Sequence, residues 1–168
     1  MNLYNLPIHS KSPRTVNAII EIEEGSKQKY EYDGNLGAFK YDRCLASAMV
    51  YPASYGFIPG TLCDDGDPLD ILVVSPEPIR RATLVEAKPL GYLDMEDEGA
   101  KDYKIVAIPH FYTRKYSKLE DLGECFLNIA KNFFSHYKDL SMSGDKVKIF
   151  DWHSKEESWD IINQSIVK

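Results

Sequence analysis

Four aspartates fall within seven residues, Asp64, Asp65, Asp67 and Asp70, and the apolar run ILVV of residues 71–74 follows at once. Like charges at this spacing repel, yet the segment behind them is one that a globular chain buries. The fold must turn sharply here, and something must offset the charge. Gly66 and Pro68 stand among the acids, and Asp, Gly and Pro are all turn residues. A turn alone is one account of the stretch; Asp67 as a helix cap ahead of Pro68 is a variant of it. A calcium-binding EF-hand fails on register. Counted from Asp65, its fifth and sixth positions are Leu69 and Asp70, where the loop needs an oxygen ligand and a glycine. A phosphatase with a nucleophilic aspartate presents its acids at the end of a strand, whereas these precede the apolar run. A hard-cation site meets both requirements. Mg²⁺ takes oxygen ligands and keeps several waters, so a few convergent carboxylates hold it. In extended backbone Asp65 and Asp67 share a face, and Leu69 with ILVV anchors the loop.

A second acidic stretch, DMEDEGAKDYK at 94–104, carries Asp94, Glu96, Asp97, Glu98 and Asp102 before another apolar run, IVAI. Alone it reads as a solvated hairpin loop. Two such clusters, each beside a buried strand, are consistent with more than one cation. Complementary donors lie elsewhere. Lys29 and Glu31 alternate on one side of a strand, Arg43 ends a hairpin, Tyr51 and Tyr55 are four apart, and Tyr137 and Lys138 close a helix. The ordinary roles of such residues are solvated surface for Lys and Arg and core for Tyr137, whose buried hydroxyl still needs a partner. Together with the acids they suit a phosphate-rich ligand. Divalent cations bridge it to the carboxylates, while Lys, Arg and Tyr take the remaining oxygens.

The 168 residues fit one domain, 1–168, with an N-terminal arm at 1–16 and a C-terminal helix at 153–168. Strands are expected at 15–24, 27–32, 38–43, 69–75, 82–94, 103–109 and 145–151, with an irregular segment over 46–68 rich in Pro and Gly. Asp121 and Glu124 form a capping-box pattern ahead of an apolar stripe at Leu122, Phe126, Ile129, Ala130, Phe133 and Tyr137. Ser154 and Glu157 repeat the pattern before Trp159, Ile162 and Ile166. Many short strands and two helices predict a mainly β (α+β) fold, a small β-barrel with helices packed on it. The net charge of −6 argues against a nucleic-acid partner. No apolar run approaches the roughly 18 residues of a membrane span, and the N-terminus has no secretory pattern. Three cysteines without metal spacing fit free thiols in the cytoplasm. The histidines lack zinc spacing, and no dinucleotide, P-loop or serine-hydrolase motif is present.

At these residues the sequence resembles the soluble inorganic pyrophosphatases of family I, the Mg²⁺-dependent, bacterial-length type. DDGDPLDILV is similar to the family's D-G-D-P-x-D signature. IEI (20–22), KYE (29–31), Asp42-Arg43, YPASYG, DMEDE with DYKIVAIP, FFSHYKDL and KVKIFDW stand around it in the family's order, from about Asn17 to Trp152. The resemblance implies a five-stranded OB-like barrel and Mg²⁺-dependent hydrolysis of diphosphate to two orthophosphates by metal-activated water. It implies Asp65, Asp70 and Asp102 as ligands of a tighter cation, Asp97 joining Asp102 for a substrate-associated one, and Glu21 and Glu31 as direct or water-mediated ligands. Asp67 matches the general base. Lys29, Arg43, Tyr55, Lys104, Tyr137 and Lys138 match phosphate ligands, with Tyr51 nearby. A homohexamer follows by analogy. The chain departs from the family's pattern at EIEEGS after Glu21, at Cys63, at Lys101 and in a short segment after IVAIP; none of these replaces a site residue. The rival classes are a non-catalytic cation binder, an oligonucleotide-binding barrel that stacks bases on its tyrosines, and a broader phosphatase or nucleotide hydrolase.

Overall fold

In the computed structural model, which describes residues 2–140 and 147–167, five strands hydrogen-bond into a closed ring. In chain order the strands are β1 (Val16–Ile22), β2 (Gln28–Asp33), β3 (Ala38–Cys44), β4 (Ser54–Phe57), β5 (Asp70–Val73), β6 (Leu84–Asp97), β7 (Ala100–Lys101), β8 (Lys104–Pro109) and β9 (Val147–His153). The ring runs β1–β4–β5–β8–β6 and back to β1. Every pairing in it is antiparallel except β5–β8, which is parallel. Closure removes the unpaired edges that an open sheet exposes. The long β6 also pairs with β7 and β9, while β2 and β3 form a separate hairpin sheet.

β5 and β8 are buried on both faces beyond their first residues, which is why ILVV and IVAI read as unbroken apolar runs rather than as alternation. Ile71 and Val73 of β5 join Ala18, Ile20, Ile105 and Ala107 in one cluster, to which helix α2 (Lys155–Ser165) adds Ile162. Leu72 faces the other way, to Leu93, Met95 and helix α1 (Glu124–His136), which contributes Phe133 and Phe134.

Several expectations need correcting. The segment 46–68 is not wholly irregular, since it holds β4. Gly56 sits there because a Cβ would overlap the backbone carbonyl of Ile19 on the paired strand. Asp121 does not cap α1. Its Oδ2 accepts from the Ser117 and Lys118 amides at 2.7 and 3.1 Å and closes a 3₁₀ turn over Leu119–Leu122. Gly123, at φ +87°, then redirects the chain and begins α1 without a side-chain cap. Ile129 of the expected stripe is exposed; Phe134 takes the buried place instead. Asp65 and Asp67 lie in a turn rather than in extended backbone: Gly66 adopts φ +93°, and Asp65 Oδ1 accepts from the Asp67 amide at 3.0 Å. No helix starts at Pro68. Of the strand expected at 145–151, the first two residues fall outside the described residues.

The second capping box forms as read. Ser154 Oγ accepts from the Glu157 amide at 3.3 Å, and Glu157 Oε2 accepts from the Ser154 amide at 2.9 Å. Bonds from Ser154 and His153 hold the Glu157 carboxyl down at about 2. A carboxyl depressed in the folded state stabilises it above the unfolded value, and that contribution is lost as pH falls through the folded value. Ser154→Ala is expected to cost about 1 kcal/mol in urea unfolding at pH 7. The gap between Glu157→Gln and wild type should shrink as pH falls from 4.5 towards about 2.

Candidate active site

The parallel register places Asp70, the first residue of β5, opposite Lys104, the first residue of β8. Lys104 Nζ donates to Asp70 Oδ2 at 2.5 Å, to Asp102 Oδ1 at 2.6 Å and to the Tyr55 hydroxyl at 3.1 Å. The Lys104 side chain is only 4% exposed. Burial by itself would lower the ammonium's pKa, but Asp70 and Asp102 outweigh it and hold it well above the usual lysine range. Burial raises the Asp102 carboxyl even against Lys104. Burial, with Asp70 and Asp102 beside it, also drives the Tyr55 phenol well up, so this hydroxyl stays protonated and available as a donor.

A cleft of about 720 Å³ opens over this group. It gathers residues far apart in sequence: Asp65, Asp67 and Asp70 from the turn into β5, Asp97 from β6, Asp102 and Lys104, and Glu21 from β1. Lys29 and Glu31 come from β2, Tyr51 and Tyr55 from the β4 region, and Tyr137 and Lys138 from the end of α1. Arg43 is the one sequence-derived candidate not lining it. Its guanidinium instead lies 2.6 Å from Asp42 Oδ2, and Asp42 does line the cleft. A bulge between Lys29 and Tyr30 shifts the hairpin register, and Lys29 Nζ reaches both Glu31, at 2.5 Å, and Asp42, at 3.3 Å. Lys138 ion-pairs with Asp97 Oδ2. Tyr51 is buried between Tyr55 and Phe133, and the ring of Tyr137 stacks on Phe133.

Two acids show how crowded the negative charge is. Burial pushes the Glu21 carboxyl up to about 8, with Asp70 and Glu31 adding to the shift; the Tyr32 amide, 2.6 Å from Glu21 Oε1, opposes it. Asp67 is raised by burial, then by Asp65 and Asp70. Sequence reasoning missed Asp42 as a cleft acid, although the Asp42-Arg43 pair was in view. It also missed Tyr4, Tyr32 and Phe134, which line the cleft too. Tyr4 carried no sequence signal, because only the folded arm brings it there.

Among the described residues no three His, Cys, Asp or Glu side chains are drawn together as a finished metal site; Lys104 occupies the ground between Asp70 and Asp102. The donor set nevertheless fits a hard cation. All its acids offer oxygen, the ligand Mg²⁺ prefers. Asp97 Oδ1 is buried without a hydrogen-bond partner among the described residues, an acceptor that calls for an ion or donor.

The sequence profile of inorganic pyrophosphatase matches residues 18–168. The chain belongs to the inorganic pyrophosphatase family. The inorganic pyrophosphatase of Rhodospirillum rubrum is 41% identical over 171 residues, spanning 99% of this chain and 95% of that protein. That of Aeropyrum pernix is 42% identical over 160 residues, 93% of this chain and 90% of its own. The crystal structure of the inorganic pyrophosphatase from Thermus thermophilus superimposes with a TM-score of 0.95 at 38% identity, covering 99% of this chain and 97% of that one. The barrel with two helices is therefore the pyrophosphatase fold.

Within this family member, the Lys104 contacts generate a prediction. Lys104→Met strands two acids beside each other in a buried place, which is expected to cost about 3 kcal/mol of stability in chelator. Added Mg²⁺ should narrow that gap in thermal unfolding, because a cation replaces the lost positive charge.

Proposed function

We propose that this chain hydrolyses inorganic pyrophosphate to two orthophosphates with divalent cations, Mg²⁺ first among them, held by its cleft carboxylates. The observation that carries the reading is the mingling of two charge sets in one cleft: nine acids (Glu21, Glu31, Asp33, Asp42, Asp65, Asp67, Asp70, Asp97 and Asp102) and donors that include Lys29, Lys104, Lys138, Tyr55 and Tyr137. An anionic substrate is bridged to the acids by cations while the donors take its remaining oxygens. The full-length likeness to named pyrophosphatases supports the choice of pyrophosphate over other phosphate esters.

Asp65, Asp70 and Asp102 would hold the tighter cation, Asp97 with Asp102 a second, and Glu21 and Glu31 would act directly or through water. When bound, the cations neutralise phosphate charge and make water more acidic. Asp67 takes the proton as the oxygen of water forms its bond to phosphorus and the bridging P–O bond breaks. Burial, with Asp65 and Asp70 beside it, raises its pKa, which favours proton capture. Lys29, Lys104 and Tyr55 position one phosphate. Lys138, Tyr137 and Arg43, with Tyr51 behind them, steady the departing one. Arg43, outside the cleft lining, would turn from Asp42 to reach it. Positioning and electrostatics supply most of the acceleration, which for phosphoryl hydrolysis is on the order of 15–20 kcal/mol in total.

The cytoplasm and a homohexamer belong to the same proposal. No helix among the described residues is long and apolar enough to cross a membrane. Phe111 and Tyr112, adjoining on the turn after β8, are 90% and 40% exposed, and this pair is the apolar surface assigned to the subunit contact. Phe111→Glu is expected to lower the assembly mass seen by sedimentation.

The decisive experiment measures orthophosphate release from pyrophosphate, ATP and a phosphomonoester, with Mg²⁺ and with chelator. Release from pyrophosphate that chelator abolishes is the expected result; no Mg²⁺-dependent release sinks the proposal, and preference for ATP redirects it to a nucleotide hydrolase. Asp67→Asn should lower kcat by about 10²–10⁴-fold with Mg²⁺ affinity largely kept.

A further inference from the structure

The N-terminal arm reaches the cleft, although nothing in the mechanism above uses it. Residues Leu3–Asn5 form one 3₁₀ turn, with Asn2 Oδ1 accepting from the Tyr4 amide at 2.9 Å. That turn holds Tyr4 against both parts of the fold that share the cleft. On the barrel side, the Tyr4 ring meets Phe57 of β4 at 5.0 Å, and the Gly60 amide donates to the Tyr4 carbonyl at 2.8 Å. On the hairpin side, the ring lies edge-on to Tyr32 of β2 at 5.1 Å. The Tyr4 hydroxyl donates to the Tyr32 carbonyl, and the Leu3 amide donates to the Tyr32 hydroxyl at 2.9 Å. The hairpin turn leaves room for the ring: a Cβ on Gly34 would lie 2.8 Å from Tyr4 Cδ2 and 2.9 Å from Cε2.

Tyr32 is the link that gives these contacts a functional sense. Its carbonyl is taken by Tyr4, and its amide donates to Glu21 Oε1 at 2.6 Å. One peptide segment therefore connects the arm to a carboxylate on β1, while Lys29 and Glu31 precede it on the same strand. Aromatic contacts of this kind are rigid and largely buried, and outer residues that fix a ligand's orientation tune metal affinity.

We propose that Tyr4 is a positioning residue of the reaction: through Tyr32 it fixes Glu21 and the Lys29–Glu31 strand against the barrel's aspartates. The inference rests on the assignment of Glu21 and Glu31 as cation ligands. It does not require Tyr4 to touch substrate. A merely structural arm would lose stability on mutation and leave cation binding alone, whereas a positioning arm changes binding even where stability holds.

The test uses the full chain and Mg²⁺ alone, titrated by calorimetry without substrate, beside melting temperature and the Mg²⁺ dependence of pyrophosphate turnover. Tyr4→Phe keeps the ring contacts and removes only the hydroxyl, so the fold is retained. It should weaken Mg²⁺ binding about three- to tenfold, the worth of one hydrogen bond, and raise the Mg²⁺ needed for half-maximal rate in step. Gly34→Ala should act likewise by displacing the ring, and in a Tyr4→Ala background it should add little, because only the contact with the movable end of Asn2, Nδ2 at 2.9 Å, remains. Unchanged Mg²⁺ affinity in Tyr4→Phe, with or without a lower melting temperature, overturns the proposal. Full additivity of Gly34→Ala and Tyr4→Ala overturns it too. If the wild type neither binds Mg²⁺ nor releases phosphate, the parent assignment falls instead.

Discussion

Lys104 is where the barrel's hydrogen-bonding and the cleft's charge are the same fact. Its place opposite Asp70 follows from the parallel β5–β8 ladder, and its ammonium meets Asp70 and Asp102 with little solvent to weaken the contact. Buried ion pairs of this kind recover their desolvation cost only where geometry is good and further bonds are made. Tyr55 supplies one of those. Without this cation, two acids would face each other at the mouth of a buried strand. With it, the carboxylates are held at fixed positions before any ligand arrives. One ammonium is nevertheless too little for the whole cleft. Asp65, Asp67 and Glu21 form no direct ion pair among the described residues, and the raised Asp67 and Glu21 carboxyls register the surplus.

The cleft is a joint between two sheets that pair separately. The ring supplies the acids nearest Lys104, and the β2–β3 hairpin supplies Lys29, Glu31 and Asp42. Few backbone bonds cross that joint, so side chains set its width. The Glu21 carboxylate on the Tyr32 amide is one crossing, and the guanidinium of Arg81 over Tyr30 at 3.5 Å is another. α1 closes the far wall, where Phe133 and Phe134 seat Tyr137 and so aim the neighbouring Lys138 at Asp97. Rigid supports on three sides are what a reaction governed by positioning requires.

Much of this was legible because its signals are local. The acids before ILVV announced a turn into a buried strand, and Ser154 with Glu157 announced a helix start. The KYE alternation placed Lys29 and Glu31 on one side. What stayed hidden depends on partners distant in sequence. β4 looked like loop because it is short and contains a glycine, and that glycine is explained only by the backbone of β1 passing over it. Asp121 looked like an α-helix cap because Glu124 follows at the right spacing, yet Gly123 turns the chain between them. Arg43 is expected in the cleft from its place at the hairpin's end and from the family resemblance; its guanidinium is held by Asp42 instead, which lines the cleft while Arg43 does not. Tyr4 sits in an arm with no periodicity to read, and its contacts exist only once the hairpin turn is in place.

The parallel pairing also sets an order of events during synthesis. Asp64 to Asp70 leave the ribosome before Lys104 does, since 34 residues separate the ion-paired Asp70 and Lys104. β5 and β8 cannot pair until β6 and the turn beyond it have also emerged, and such non-local pairing is slow to form. A nascent chain therefore carries four acids within seven residues, without Lys104 to pair them, directly beside ILVV. That charge opposes premature collapse of the segment onto neighbouring chains. The same acids that are proposed to gather cations in the finished protein serve, during its birth, as a guard on an apolar strand.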